Sequence, residues 1–463
     1  MLFHSNSLNM LDDETSQNEF NNDIPIKQQP ILDYFDDEYE DIEEGKEICF
    51  KRYFGPIKAG SLRGAIISLA SIVFGIGALP FPHAFSNMGL IPGCVLMLLF
   101  SFISYWTLCL LLESGRKMRE FNYSRLIKKC FGHNISRLID INNILFCIGI
   151  IMSFEFTIST FFLDIFDNFY PLSKTNSSYL KVIQIATSVL FVLIPLSLLR
   201  NISKLQYVSI IGCITLLYTA VLIFIQAPLY YREGINKDRK LQFFKKPSLL
   251  YLDSFSVFLY GFAQHNGMFP IIAELKRPTK KRCFKVINRA FLLELIVLSV
   301  IGLSGYFSLL QDTPSIFISR PDLPFTSMKM DYFMLASKIL FFITLHVLCA
   351  IVNNILRTSL KAVFYNGKEI PKKNDVITVI CLYLCTYLIT YFIKDLLSIL
   401  SILGGICAVV LSFVMPILCW IKTNSYEVTH WKNISALIIM CVTILIGLCC
   451  VGYSIYCDIC GMI

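Results

Sequence analysis

Residues 71–82 read SIVFGIGALPFP, and residues 260–270 read YGFAQHNGMFP. Each stretch lies in an apolar run of about 20 residues, the length that crosses a hydrocarbon core of about 30 Å. Each also carries Gly-x-x-Pro, from Gly77 to Pro80 and from Gly267 to Pro270. Glycine weakens a helix through backbone entropy, and proline removes an N–H donor. In hydrocarbon, a freed peptide group must find a partner or line a cavity. The two stretches therefore predict two interrupted membrane helices, with Gly and Pro as the residues that interrupt them.

The rest of the chain supplies the spans around these two. Of its 463 residues 55% are hydrophobic and 16% charged, and the mean hydropathy is +0.62. Soluble domains need more polar surface than this. From residue 60 onward the apolar runs number about eleven, counted by hydropathy. They cover residues 61–83, 90–112, 138–169, 179–199, 206–228, 250–272, 286–310, 331–357, 375–393, 396–420 and 433–457. The interrupted runs are the first and the sixth. Five spans separate them, so they cross in opposite directions, as an inverted five-plus-five repeat requires. Paired interruptions in two halves point to a solute site at the bilayer midplane and to alternating access. Gly and Pro also serve helix packing, but that does not call for matched positions.

Charge orients the bundle. Arg116 to Arg137, Lys276 to Arg289 and Arg357 to Lys373 include three basic loops on one side, joined by Lys51, Arg52, Lys58 and Arg63 before the first span. That side is expected to be cytoplasmic. The loop holding Arg232, Lys237, Arg239, Lys240, Lys245 and Lys246 runs against the rule. With eleven spans the N-terminus is cytoplasmic and the C-terminus outside or lumenal. Residues 1–50 hold much of the acid and have no apolar period, so they read as a disordered acidic tail; 51–463 form the membrane domain. The net charge of +8 fits anionic lipid headgroups better than nucleic acid. The N-terminus lacks the basic and apolar regions of a cleavable signal peptide.

At this point a family resemblance enters. GIGALP at 75–80, followed by HAFSNMG at 83–89, resembles the first helix of the amino acid/auxin permease family. PIIAELKRP at 270–278 resembles the end of that family's sixth helix and is the more specific stretch. The resemblance covers most of residues 55–457. It implies an all-α, eleven-helix, LeuT-like membrane fold and secondary transport of amino acids, commonly driven by protons or sodium. In sodium-coupled members the position matching Ser71 is typically Asn, and the stretch matching Leu345–Ala350 offers a hydroxyl. Here the run is Thr344, Leu, His346, Val, Leu, Cys. Proton coupling or facilitated exchange is therefore the expectation.

The residues assign a chemistry of their own. An amino acid needs both of its charges satisfied. Freed N–H groups at Gly75, Ile76 and Gly77 suit its carboxylate, helped by a half-helix dipole. Freed carbonyls near Tyr260, Gly261 and Phe262 suit its ammonium. Ionisable residues inside spans are functional candidates. Glu155, in the third span, is expected to bind substrate or carry a proton. His265 lies at the sixth-span break and titrates near neutrality when unperturbed, so it joins Ser71 and Glu274 as a coupling or gating candidate. Glu294 and His346 read as structural.

Other signals are weaker. Cys457 and Cys460 form the one Cys-x-x-Cys pair among 17 cysteines and read as a helix-end coincidence. Asn176-Ser-Ser178, in a predicted outer loop, matches the N-glycosylation pattern. No HExxH, GxSxG, phosphate-cradling glycine loop or metal-spaced cluster occurs, so an enzyme and a bound cofactor are not expected. A monomer is expected, in the plasma membrane or a vacuolar or lysosomal one. The competing reading is an amino-acid sensor that signals through the acidic tail.

Overall fold

A computed structural model describes residues 60–167, 169, 174–198, 205–232, 240–321, 331–365, 368–393, 395–424 and 431–460. The acidic segment 1–50, together with Lys51, Arg52 and Lys58, lies outside them, and so does the side chain of Asn176.

Apolar sequence becomes helix throughout, and no strand occurs among the described residues. The α-helices are α1 Leu62–Val73, α2 Phe81–Met88, α3 Leu90–Lys117, α4 Tyr123–Phe131, α5 His133–Asp167, α6 Lys174–Ser188, α7 Ile194–Leu198, α8 Leu205–Arg232, α9 Leu250–Gly261, α10 His265–Ala273, α11 Lys280–Leu309, α12 Tyr332–Phe364, α13 Lys372–Phe392, α14 Leu396–Ile402, α15 Met415–Thr423 and α16 Trp431–Cys460. A π segment, Val189–Leu193, joins α6 to α7. Two more, Leu403–Ala408 and Val410–Val414, carry α14 into α15.

Each of the eleven apolar runs is helical. Among the described residues eight helical stretches are long and apolar enough to cross a membrane, and nine if α1 and α2 count as one bent span. The runs at 174–198 and 250–273 are helical without meeting that criterion. The eleven-span count thus remains an expectation, whereas the all-α, multi-pass membrane architecture is plain.

Exposed apolar side chains mark the lipid-facing sides. On α3 these are Val95, Leu98, Leu99 and Phe102; on α16 they are Ile438, Val442, Leu445 and Leu448. Their spacing of three to four residues makes a continuous stripe along each helix. Such stripes on a water-exposed protein would be an aggregation hazard, and in hydrocarbon they are at rest.

The basic loop before α5 contains an unanticipated element. Residues 123–131 form the short amphipathic helix α4, started by Asn122, whose side chain accepts from Arg125 N at 3.0 Å. Leu126, Ile127 and Cys130 are buried, while Arg125, Lys128 and Lys129 are exposed or partly so.

Candidate solute site at two broken helices

The first span breaks where the sequence indicated. α1 stops at Val73, and the axis turns by 59° before α2. Between them, Gly75 N–H bonds back to Val73 O at 2.8 Å, and residues 76–78 form a single 3-10 turn. That turn's own bonds begin with Ala78 N to Gly75 O at 3.4 Å and Leu79 N to Ile76 O at 3.1 Å. The amides of Ile76 and Gly77 precede them, as the first N–H groups of any helical turn do. Pro80 has no N–H to continue the turn, and α2 starts from its carbonyl, with Ala84 N at 3.0 Å.

The sixth span breaks at Phe262–Gln264, between α9 and α10. Gly267 and Pro270, the residues expected to interrupt it, instead lie inside α10. Pro270 is the sixth of nine residues in α10, and its missing N–H removes one bond from a short helix without ending it. Side chains from neighbouring spans hold the actual break open. Ser104 Oγ donates to Phe262 O at 2.7 Å. Thr107 Oγ1 meets His265 Nε2 at 3.0 Å. Gln264 Nε2 donates to Glu294 Oε2 at 2.8 Å.

The two breaks meet. A Cβ built on Gly77 would lie 3.3 Å from the Tyr260 ring and 3.5 Å from Gly261 Cα. One built on Gly261 would lie 2.5 Å from Phe81 Cε2. The absence of a side chain at Gly261 makes room for the Phe81 ring, and Gly77 lies in van der Waals reach of the Gly261 backbone. The spans run antiparallel, as three contacts along them show. Lys276 N donates to Gly60 O at 3.0 Å at one end. Gly77 faces Gly261 in the middle. Ser254 Oγ donates to Ala84 O at 3.2 Å at the other end. α2 and α10 both point their N-termini at the crossing, while α1 and α9 bring their C-termini. Positive and negative helix ends therefore converge on one buried place.

In this structure the crossing is filled. Phe81 packs edge-on against Phe262 at 5.8 Å, Tyr260 packs against Phe146 at 6.1 Å, and Gly75, Ile76 and Gly77 are buried. Phe154 Cε1 lies 3.8 Å from a Cβ built on Gly75.

The remaining candidates fall in four places. His265, fully buried, sits at the crossing through its place in the break. Glu274 is exposed at the end of α10, beside the Gly60–Lys276 tie. A Cβ on Gly60 would meet Glu274 O at 2.7 Å. Ser71 Oγ donates to Ser68 O within α1 at 2.8 Å, and Thr344 pairs with Thr215 at 3.1 Å. Glu155 turns away from the crossing, and its two oxygens accept from Thr386 at 3.0 Å and Thr390 at 3.3 Å, both on α13.

The Gln264–Glu294 pair was not singled out from sequence. Both residues are fully buried, and Gln264 Oε1, Glu294 Oε1 and His265 Nδ1 have no partner among the described residues. A lone Glu in the otherwise apolar stretch 290–303 and an adjacent Gln-His at the break were the available signals.

A buried crossing of two interrupted, antiparallel helices within an all-α bundle defines a multi-pass membrane protein. The chain belongs to the transmembrane amino acid transporter protein family, whose family model matches residues 58–459. Among curated proteins, the Toxoplasma gondii protein named "Putative amino acid transporter AAT1" is 30% identical over 261 residues, 56% of this chain and 35% of that one. Vacuolar amino acid transporter 5 of Schizosaccharomyces pombe is 22% identical over 362 residues, 78% of this chain and 83% of that one. The match spans less than half the length of the apicomplexan relatives, 35% in Toxoplasma gondii and 46% in Plasmodium falciparum. Among solved structures, the crystal structure of MhsT in complex with L-phenylalanine aligns over 84% of this chain and 98% of that one, with 13% identity and a TM-score of 0.49.

Proposed function

We propose that this protein is a secondary transporter that moves amino acids across a membrane by alternating access, driven by protons or working as a facilitated exchanger. The observation that carries the reading is the meeting of two breaks at Gly77 and Gly261. It sets unladdered N–H groups and helix C-terminal carbonyls side by side in a dry interior. Membership of an amino acid transporter family supports the substrate class, and vacuolar relatives make a vacuolar or lysosomal membrane a natural location beside the plasma membrane.

In this reading the Ile76 and Gly77 amides, with the Gly75 backbone, hold the substrate carboxylate. The Tyr260, Gly261 and Phe262 carbonyls hold the ammonium. Phe262 O already accepts from Ser104, and its second lone pair stays for the substrate. Tyr260 O accepts from Ala263 N at 3.0 Å and also from Phe262 N, so it must give up one of these to take part. Phe81 and Tyr260 must swing aside to admit a solute, which makes the present arrangement a closed one. Glu274, beside the Gly60–Lys276 tie, is assigned to the gate on the face expected to be cytoplasmic.

The test is uptake of a panel of radiolabelled amino acids into proteoliposomes under imposed pH or sodium gradients. Uptake of at least one amino acid, lost on Gly77→Leu while the protein stays folded, supports the reading. Failure to move any amino acid, by net uptake or by exchange, overturns it.

A further inference from the structure

A second buried polar cluster lies away from the helix crossing, where α5, α6, α12 and α13 meet. Glu155 on α5 lines a gap together with Gln184 and Ser188 on α6 and with Val189 and Leu193 of the π segment. The gap has no room for a water molecule. All three polar residues are buried, and Gln184 Oε1 has no partner among the described residues. The hydroxyls of Thr386 and Thr390 hold both Glu155 oxygens from the α13 side. From Ser188 a hydrogen-bond chain runs on to His346 on α12. Gln184 Nε2 donates to Ser188 Oγ at 2.9 Å, and Ser188 Oγ meets His346 Nε2 at 3.2 Å.

The direction of that chain follows from its far end. His346 Nδ1 lies 2.7 Å from Phe342 O, which can only accept, so Nδ1 carries the ring proton. His346 Nε2 is then an acceptor in the neutral ring, and Ser188 supplies the O–H. A buried acid thus faces, across the gap, a chain that ends in a neutral imidazole. The place is too tight for a hydrated ion, and a proton needs no such room. The π segment that begins at Val189 is the kind of local widening found where a helix serves a site.

We propose that Glu155 is a proton-binding site in a compartment of its own, separate from the solute site at the broken spans, with Gln184, Ser188 and His346 as its positioning partners across the gap. A proton taken up from one aqueous face adds to the Glu155 carboxylate, and the O–H so formed has Gln184 Oε1, on the same gap, as its acceptor. Ser188 and His346 hold the Gln184 amide from its other end. Release of the proton to the opposite face restores the carboxylate, which keeps the Thr386 and Thr390 hydroxyls. The bond from Glu155 to Gln184 draws α6 toward α5, and the proton state is thereby read as helix position. Other titratable groups around the cluster are Cys349 on α12 and Tyr383 on α13, which hydrogen-bond each other at 3.7 Å. Lys181 on α6 lies over the Phe156 ring at 5.1 Å, and Lys338 on α12 faces Asp164 at 3.5 Å. Residues 396–414, which pack on α5 from the far side, carry no charged side chain.

This inference rests on the transport reading, and one experiment separates them. Wild type, Glu155→Gln, His346→Gln and Ser188→Ala are reconstituted, and two quantities are read for each. One is exchange of labelled for unlabelled amino acid at equal pH; the other is accumulation under an inward gradient of one pH unit. One proton per solute supports up to about tenfold accumulation in wild type, since each factor of ten is about 1.4 kcal/mol. The three variants are expected to keep exchange and lose accumulation. Ser188→Ala is the variant least able to disturb the fold, because it removes one oxygen. Undiminished accumulation in Glu155→Gln or Ser188→Ala overturns the site, and so does a wild type that exchanges solute but ignores the pH gradient. A wild type that neither exchanges nor accumulates overturns the transport reading and this inference with it.

Discussion

Gln264, in the break of the sixth span, donates its side-chain N–H to Glu294 on α11 at 2.8 Å, with both side chains wholly out of contact with solvent. This bond anchors an unwound segment to an intact helix. Its removal leaves a buried amide without its acceptor, at about 1–3 kcal/mol. Glu294→Leu is therefore expected to lower the thermal unfolding midpoint in detergent clearly, and Glu294→Gln, which still accepts a hydrogen bond, to lower it much less. Equal midpoints for the two variants would mean that the bond does not hold the break.

The glycines at the crossing differ in how tightly they are enclosed. A methyl on Gly261 would press on the Phe81 ring at 2.5 Å, and one on Gly77 would touch Tyr260 at 3.3 Å. Overpacking of this kind costs about 1–3 kcal/mol. Gly261→Ala is expected to be the less stable of the two by thermal unfolding, and Gly77→Ala to fold nearly normally. Gly77→Leu should abolish uptake with surface expression retained.

Gly60 has φ +71°, a left-handed conformation, and a side chain there would also strike Glu274 O at 2.7 Å. Alanine in that conformation costs about 1–2 kcal/mol, concentrated where the first span begins and the sixth ends. Gly60→Ala is expected to lower the maximal uptake rate and to leave the substrate KM near wild type, because the strain falls on the gate and not on the crossing. Uptake kinetics with the fraction of folded protein normalised decide it.

Arg357 and Asp375 form a buried ion pair at 2.8 Å, with Asn354 accepting a second guanidinium N–H at 2.8 Å. Removing one charge strands the other, at about 3–5 kcal/mol. Asp375→Ala should lower the unfolding midpoint sharply. The double variant Arg357→Met with Asp375→Leu should recover most of the loss.

Much of this was legible in the sequence, for reasons that particular residues make clear. Gly75, Gly77 and Pro80 act through their own backbones, so the first break could be read from residue type and lies where they stand. The sixth break could not be placed that way. Gly267 and Pro270 are conspicuous yet helical, and the interruption upstream is held by Ser104, Thr107 and Glu294, remote in sequence. Glu155 shows a second limit. Sequence puts it in the third span but not on a side of it, and one residue is 100° of helix. Phe154 faces the crossing, while Glu155 faces α13. Helix α4 was hidden because three apolar residues among cations look like a loop.

The antiparallel crossing has a mechanical corollary. Each mouth of the bundle is walled by one half of each broken rod, α1 with α10 on one face and α2 with α9 on the other. In the transport reading proposed above, flexing at the two joints lets either wall swing while its counterpart stays seated, and whatever sits at the joints meets first one aqueous phase and then the other without itself travelling.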